Sequence, residues 1–110
     1  MAPRVVHLKR EPYDVRVDRQ TPWGNPFVIP KDGARELVIA KYRNWILSDR
    51  DMTLSAQKLL KGKTLGCWCA PKPCHGDVLL EIANNEVWWC ESCNRYHVER
   101  VTAESETPLP

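Results

Sequence analysis

Sulfur is concentrated in one part of this chain. All five cysteines lie between residues 67 and 93. They form two clusters, Cys67-Trp68-Cys69 with Cys74-His75, and Cys90-Glu91-Ser92-Cys93 with His97. Short-spaced thiols followed by a histidine are the pattern with which small soluble proteins hold zinc. A Cys-x-x-Cys turn between two strands is a knuckle whose backbone amides point at the sulfurs. One knuckle supplies two ligands, and a closed structural site needs four. The leading set is therefore a single shared ion on Cys69, Cys74, Cys90 and Cys93. Cys67, His75 and His97 are the alternates. A second reading builds the site mainly from the C-terminal knuckle and frees Cys67, Cys69, Cys74 and His75 for other work. A third has no metal and packs reduced cysteines as small apolar groups. A redox Cys-x-x-Cys commonly opens a helix after a strand. Here Trp88-Trp89 precede it and polar residues follow, which suits a knuckle better.

Other residues could do chemistry beside the thiols. Cys74 and His75 open a helix, where the dipole lowers a thiol pKa and favours anions. Cys67 or His75 could then act catalytically, with Asp77 as acid or base. Thr21-Pro22-Trp23-Gly24-Asn25-Pro26-Phe27 is a stiff loop. Trp23 could stack on a planar ligand and Asn25 could read a hydrogen-bonding edge. Arg19 could meet a phosphate. The bland alternative is that Trp23 and Phe27 plug the core and Asn25 caps a turn. Gly24 would permit an unusual backbone angle, and Pro26 locks the next step.

The elements that must position these residues can be read from periodicity. Val5–Leu8 and Val15–Arg19 read as strands, the second alternating apolar and charged. Val28-Ile29 could add a brief third. A helix opens near Asp32-Gly33, with Val38, Tyr42, Trp45 and Ile46 as its buried stripe, and fades near Ser48-Asp49. A second helix covers about Leu54–Leu60 and stops at Gly62. Thr64–Cys69 is a strand with thiols at its tip, so Cys67 and Cys69 face the same way. Cys74–Ala83 is a third helix, ended by Asn84-Asn85. Glu86–Cys90 and Tyr96–Arg100 are two strands joined at the cysteine turn. Residues 102–110 read as a disordered tail, being rich in Glu, Ser, Thr and Pro. The expected fold class is α/β. It is a single small domain over 1–101, with a short sheet, about three helices and a zinc-pinned C-terminal hairpin at 86–100.

Composition sets the outer limits. The chain has 110 residues, 43% apolar and 27% charged, with a net charge of +2. That suits one globular domain with one core. There is no apolar run near the roughly 20 residues that span a bilayer, so no membrane partner is expected. The N-terminus lacks a signal-peptide stretch, and reduced, odd-numbered thiols fit the cytoplasm. The net charge is too weak to argue for nucleic acid alone. Basic residues gather at Arg4, Lys9, Arg10, Arg16 and Arg19, and again at Lys58, Lys61 and Lys63.

Tyr13-Asp14-Val15, Arg19, the Trp23–Phe27 loop, the helix with Tyr42 and Trp45, and Leu65-Gly66-Cys67-Trp68-Cys69-Ala70-Pro71-Lys72-Pro73-Cys74-His75-Gly76-Asp77-Val78-Leu79 carry a resemblance. Together they resemble a small domain family of unknown function found in bacteriophages and bacteria, over roughly residues 4–84. The resemblance implies a compact α/β domain of phage or prophage origin, acting in the host cytoplasm if phage-encoded. It implies no activity. Leu65–Leu80 is more weakly similar to another uncharacterised α/β family whose Cys-His-Arg opens a helix. Gly76 stands here where that arginine would be.

Three functional classes follow. One is a zinc-bearing domain that recognises a nucleotide or nucleic acid through Arg19, Trp23, Asn25 and the Lys58–Lys63 cluster. Another is an enzyme centred on Cys67, Cys69, Cys74 and His75. The last is a phage accessory protein that binds a host protein through Trp88-Trp89, one of which should face outward. The signatures of zinc deaminases and of phosphate-binding glycine loops are missing.

Overall fold

The computed structural model describes residues 3–99. The elements run β1 (Val5–His7), β2 (Val15–Arg16), α1 (Arg35–Leu47), α2 (Arg50–Leu59), β3 (Leu65–Cys67), α3 (His75–Ala83), β4 (Glu86–Cys90) and β5 (Arg95–Glu99). This is the expected α/β domain, with three helices, a short sheet and a C-terminal hairpin. The expected tail at 102–110 lies outside the described residues. Among the described residues, no helix is long and apolar enough to cross a membrane.

β3 is the middle strand of a parallel sheet ordered β1-β3-β2. Val5 and Val15 both pair with Leu65, and Val6 and Arg16 with Gly66. All three β3 residues are buried, as befits a strand with neighbours on both sides. Residues 8–14 carry the chain from β1 to β2 without a helix. On the way Tyr13 lays its ring against Gly66, where an added Cβ would sit 2.7 Å from Tyr13 Cγ. That crossing requires glycine. β2 is shorter than expected because the chain turns at Asp18, whose carbonyl accepts from the Thr21 N–H at 3.0 Å.

α3 packs on β1 and β3, and α1 and α2 pack on α3. The core between them contains Val17, Tyr42, Ile46, Leu47, Leu60, Leu65, Leu79 and Ile82. Val38, Tyr42 and Ile46 form the buried row of α1, spaced by four as a helix face demands. Trp45 was expected in that row but is 37% exposed. It sits at the edge, leaning on Tyr42 with ring centroids 5.6 Å apart.

α2 starts four residues before the expected Leu54. Asp49 caps it, accepting from the Met52 N–H at 3.1 Å, which satisfies a donor the helix cannot use. Val28 and Ile29 form no strand. The Val28 N–H donates to the Asp32 carboxylate at 2.8 Å and its carbonyl accepts from the Asp32 N–H at 2.7 Å. The segment is closed on itself and offers no edge.

β4 and β5 form an antiparallel ladder, with Trp88 opposite His97 and Cys90 opposite Arg95. Alternation splits its side chains. Val87, Trp89, Tyr96 and Val98 pack towards the core. Trp88, Cys90, Arg95 and His97 take the outer face.

Candidate functional site

The carboxyl ends of β2 and β3 open into a cleft of about 270 Å³. This is the edge of an α/β sheet where ligands commonly bind. Asp18, Arg19 and Gln20 enter from the end of β2. Cys67 enters from β3, Trp68 and Cys69 from the turn after it, and Cys74 and His75 from the start of α3. Asn25, Phe27 and Ile29 close one side, and Arg35, Val38 and Ile39 of α1 another.

The Sγ atoms of Cys67, Cys69 and Cys74 all lie within 4.8 Å of one another. β3 ends at Cys67, so Cys69 is delivered by the following turn, where its carbonyl accepts from the Lys72 N–H at 2.9 Å. Cys74 is the N-cap of α3, its sulfur accepting from the Gly76 N–H at 3.3 Å. All five cysteines are free thiols. A hydrogen bond from Cys74 is the main cause that holds the Cys67 thiol down to about 5. The same contact and burial push Cys74 well up. The expected effect of the helix dipole on Cys74 is thus overridden, because its sulfur sits buried beside a thiolate.

The donor set fits a metal ion. Tetrahedral zinc with Zn–S near 2.3 Å places sulfurs roughly 3.8 Å apart. The three thiols need close by no more than about an ångström to reach that geometry. His75 does not join them. Its Nε2 lies 2.6 Å from the Val17 carbonyl and its ring meets Tyr42 edge-on at 5.1 Å. Asp77 does not reach the thiols as a catalytic group either. Its carboxylate accepts from the Cys74 N–H at 3.0 Å and completes a capping box.

A second triad is formed by Cys90, Cys93 and His97, again within 4.8 Å. The Ser92 hydroxyl and then the Cys93 N–H hold Cys90 down to about 6, and Cys93 is pushed up by its bond to Cys90. The expected shared set of Cys69, Cys74, Cys90 and Cys93 is not brought together. Arg35, at the start of α1, donates to the Pro73 carbonyl beside Cys74. Asn44, near its end, accepts from Arg95 beside the hairpin tip. Nine residues of helix separate these anchors, roughly 13 Å at 1.5 Å per residue. The clusters sit at opposite ends of α1.

The loop residues divide. Arg19 lines the cleft and donates to the carbonyls of Asn25 at 2.7 Å and Phe27 at 3.1 Å. Asn25 also lines it, but its amide accepts from the Phe27 N–H at 2.8 Å and donates to the Val38 carbonyl at 3.3 Å. Its first task is to fold the loop. Trp23 belongs to the core instead of the cleft, and its carbonyl accepts from the buried Tyr42 hydroxyl at 2.8 Å. Gly24 has no positive φ. It is needed because an added Cβ would lie 2.5 Å from Arg19 Cα. Lys58 and Lys61 line a separate concavity with Gln57 and Asn85.

Sequence reasoning passed over Asp18 and Trp68. Asp18 is 4% exposed. It takes a two-point ion pair from Arg16, at 2.9 and 2.7 Å, and accepts from the Trp68 indole N–H at 2.8 Å. The Arg16 bond holds its carboxyl below the usual carboxylate range. Trp68 is thereby fixed as a wall of the cleft.

Sheet, cleft and thiols define a small α/β domain with a cysteine-lined crevice. The domain of unknown function DUF4326 matches residues 4–85, and the chain belongs to that family. It is also 37% identical over 84 residues to an uncharacterized 12.4 kDa protein in the nrdA-td intergenic region of Enterobacteria phage T4, covering 74% of this chain and 77% of that one. No solved structure matches. The cleft lies wholly inside the matched stretch, and the hairpin lies beyond it.

Proposed function

We propose that this chain is a metal-bearing domain that binds a small nucleotide-like anion in the cleft. The observation that carries this is the convergence of three thiols, two arginines and two aromatic rings on one crevice. A guanidinium has five N–H donors. Arg19 gives two hydrogen bonds to the loop and Arg35 one to Pro73, which leaves donors for a phosphate. Phe27 and Trp68 offer faces for a base. About 270 Å³ suits a single small ligand, near the lower end of ligand pockets. Lys58 and Lys61 stand elsewhere, so a mononucleotide is favoured over a nucleic-acid strand. Cys67, Cys69 and Cys74 would hold zinc, the ion that such a thiolate set suits best. Bound there, zinc supplies a Lewis-acid position facing the ligand.

The test is calorimetric titration of the full chain with a panel of ribo- and deoxyribonucleoside monophosphates, alongside metal analysis. Saturable binding that Arg35→Ala weakens by about tenfold, or 1.4 kcal/mol, supports the proposal. No heat from any nucleotide at millimolar concentration overturns it.

A second reading leaves the trio metal-free and uses Cys67 as a nucleophile, favoured by its thiol held down to about 5. Fast alkylation of Cys67 at neutral pH in protein purified without chelator would favour that reading.

A further inference from the structure

The outer face of the hairpin carries a set of donors that packing does not need. Cys90 and His97 project from it together with Trp88, which is 49% exposed. Cys93 is exposed at the tip. Thiols on a solvent face add no core volume and are a chemical liability. Their arrangement is nonetheless built. The Asn94 N–H closes the turn on the Cys90 carbonyl at 2.8 Å. Asn94 takes φ of 57°, a left-handed conformation that asparagine tolerates better than most residues. With the chain reversed there, the Ser92 hydroxyl lies 3.2 Å from the Cys90 sulfur and the Cys93 thiol closes beside it. Opposite, Trp88 stacks on the His97 ring at 4.7 Å and 26°, which sets the imidazole plane beside the two thiols.

We infer that the β4–β5 hairpin is a second, self-contained divalent-metal site, held by Cys90, Cys93 and His97, with its fourth position open to solvent. It is independent of the cleft. The two triads lie at opposite ends of α1, and each closes its own set of donors within 4.8 Å. Two thiolates and one imidazole in tetrahedral array suit zinc or cobalt(II). An open position on an exposed face exchanges ligands with solvent, unlike a sealed structural site.

Cobalt(II) titration of the full-length, metal-stripped and reduced protein tests this. Thiolate-to-cobalt absorption and native mass spectrometry give the stoichiometry. Cys93→Ser and His97→Ala should each abolish one equivalent that Cys69→Ser retains, with far-UV circular dichroism unchanged. Stoichiometry unaltered by Cys93→Ser overturns the site. Retention by His97→Ala alone overturns the three-ligand assignment. Loss of the same single equivalent in Cys69→Ser and Cys93→Ser overturns independence. If the hairpin takes cobalt while the cleft takes none, this inference stands and the zinc reading of the cleft fails.

Discussion

Asp18 is the residue on which the cleft wall depends. It is a buried carboxylate with an arginine on one side and an indole N–H on the other. Its pKa is lowered in the folded chain. A lowered folded pKa gives stability that is present above the unfolded value and lost as pH falls through the folded one. Asp18→Asn should therefore cost about 1–3 kcal/mol at neutral pH. The deficit should shrink below about pH 4, the ordinary aspartate value. Urea denaturation of both proteins from pH 7 to pH 3 measures this, and a pH-independent gap would contradict it. Asp77 makes the opposite case. Its carboxylate caps α3, so Asp77→Ala should lower stability by about 1 kcal/mol. Nucleotide and cobalt stoichiometries should stay unchanged, whereas a catalytic Asp77 would be silent in stability. Asp18 was hard to see in the sequence because it ends an alternating strand, where a charge reads as solvent-facing. Trp68 stands between two cysteines, in a spacing that reads as a metal motif whatever lies between them. The thiols were legible as metal-ligand types, but spacing pointed to a shared ion on Cys69, Cys74, Cys90 and Cys93 with Cys67 as an alternate, whereas Cys67, Cys69 and Cys74 form a group of their own.

At the scale of elements, the Thr21–Phe27 loop shows why a motif can be recognised before its reason is. Its prolines, glycine and asparagine announce a rigid turn. Which side chain it shows to a ligand depends on contacts from α1, through Tyr42 and Val38, more than ten residues away. No local pattern records those, so the sequence leaves platform and core plug both open for the loop, with core the readier reading of Trp23, and core is where it lies. Gly24→Ala tests the packing reason directly. A Cβ 2.5 Å from Arg19 Cα forces the backbones apart, at a cost of about 1–3 kcal/mol. The thermal midpoint should fall, and affinity for any cleft ligand should fall with it because Arg19 moves. Unchanged affinity would show that Arg19 does not position the ligand. The helices were legible from their periodicity, and α3 from its thiol start and Asn84 end. The start of α2 was missed, although Asp49 ahead of Met52 is a recognisable cap.

At the scale of the molecule, the hairpin is joined to the domain through its inner face. Tyr96 lies in the same core cluster as Tyr42 and Leu79. Tyr96→Ala should cost about 3 kcal/mol and lower the urea midpoint of the whole chain in one transition. A separate early transition of the hairpin alone would contradict a shared core. Chain order brings the two thiol clusters near in sequence, and spacing rules then suggest one ion. What decides otherwise is the path after α3, which carries β4 and β5 to the far end of α1.

The fixed indole of Trp68 has an optical consequence. It lines the cleft, while Trp23 is buried, Trp45 sits on the edge of α1, and Trp88 and Trp89 belong to the hairpin. Subtracting the fluorescence of Trp68→Phe from that of the native chain isolates one emitter at the crevice. Its wavelength and quenching would follow whatever enters there, read from the protein's own light without a label.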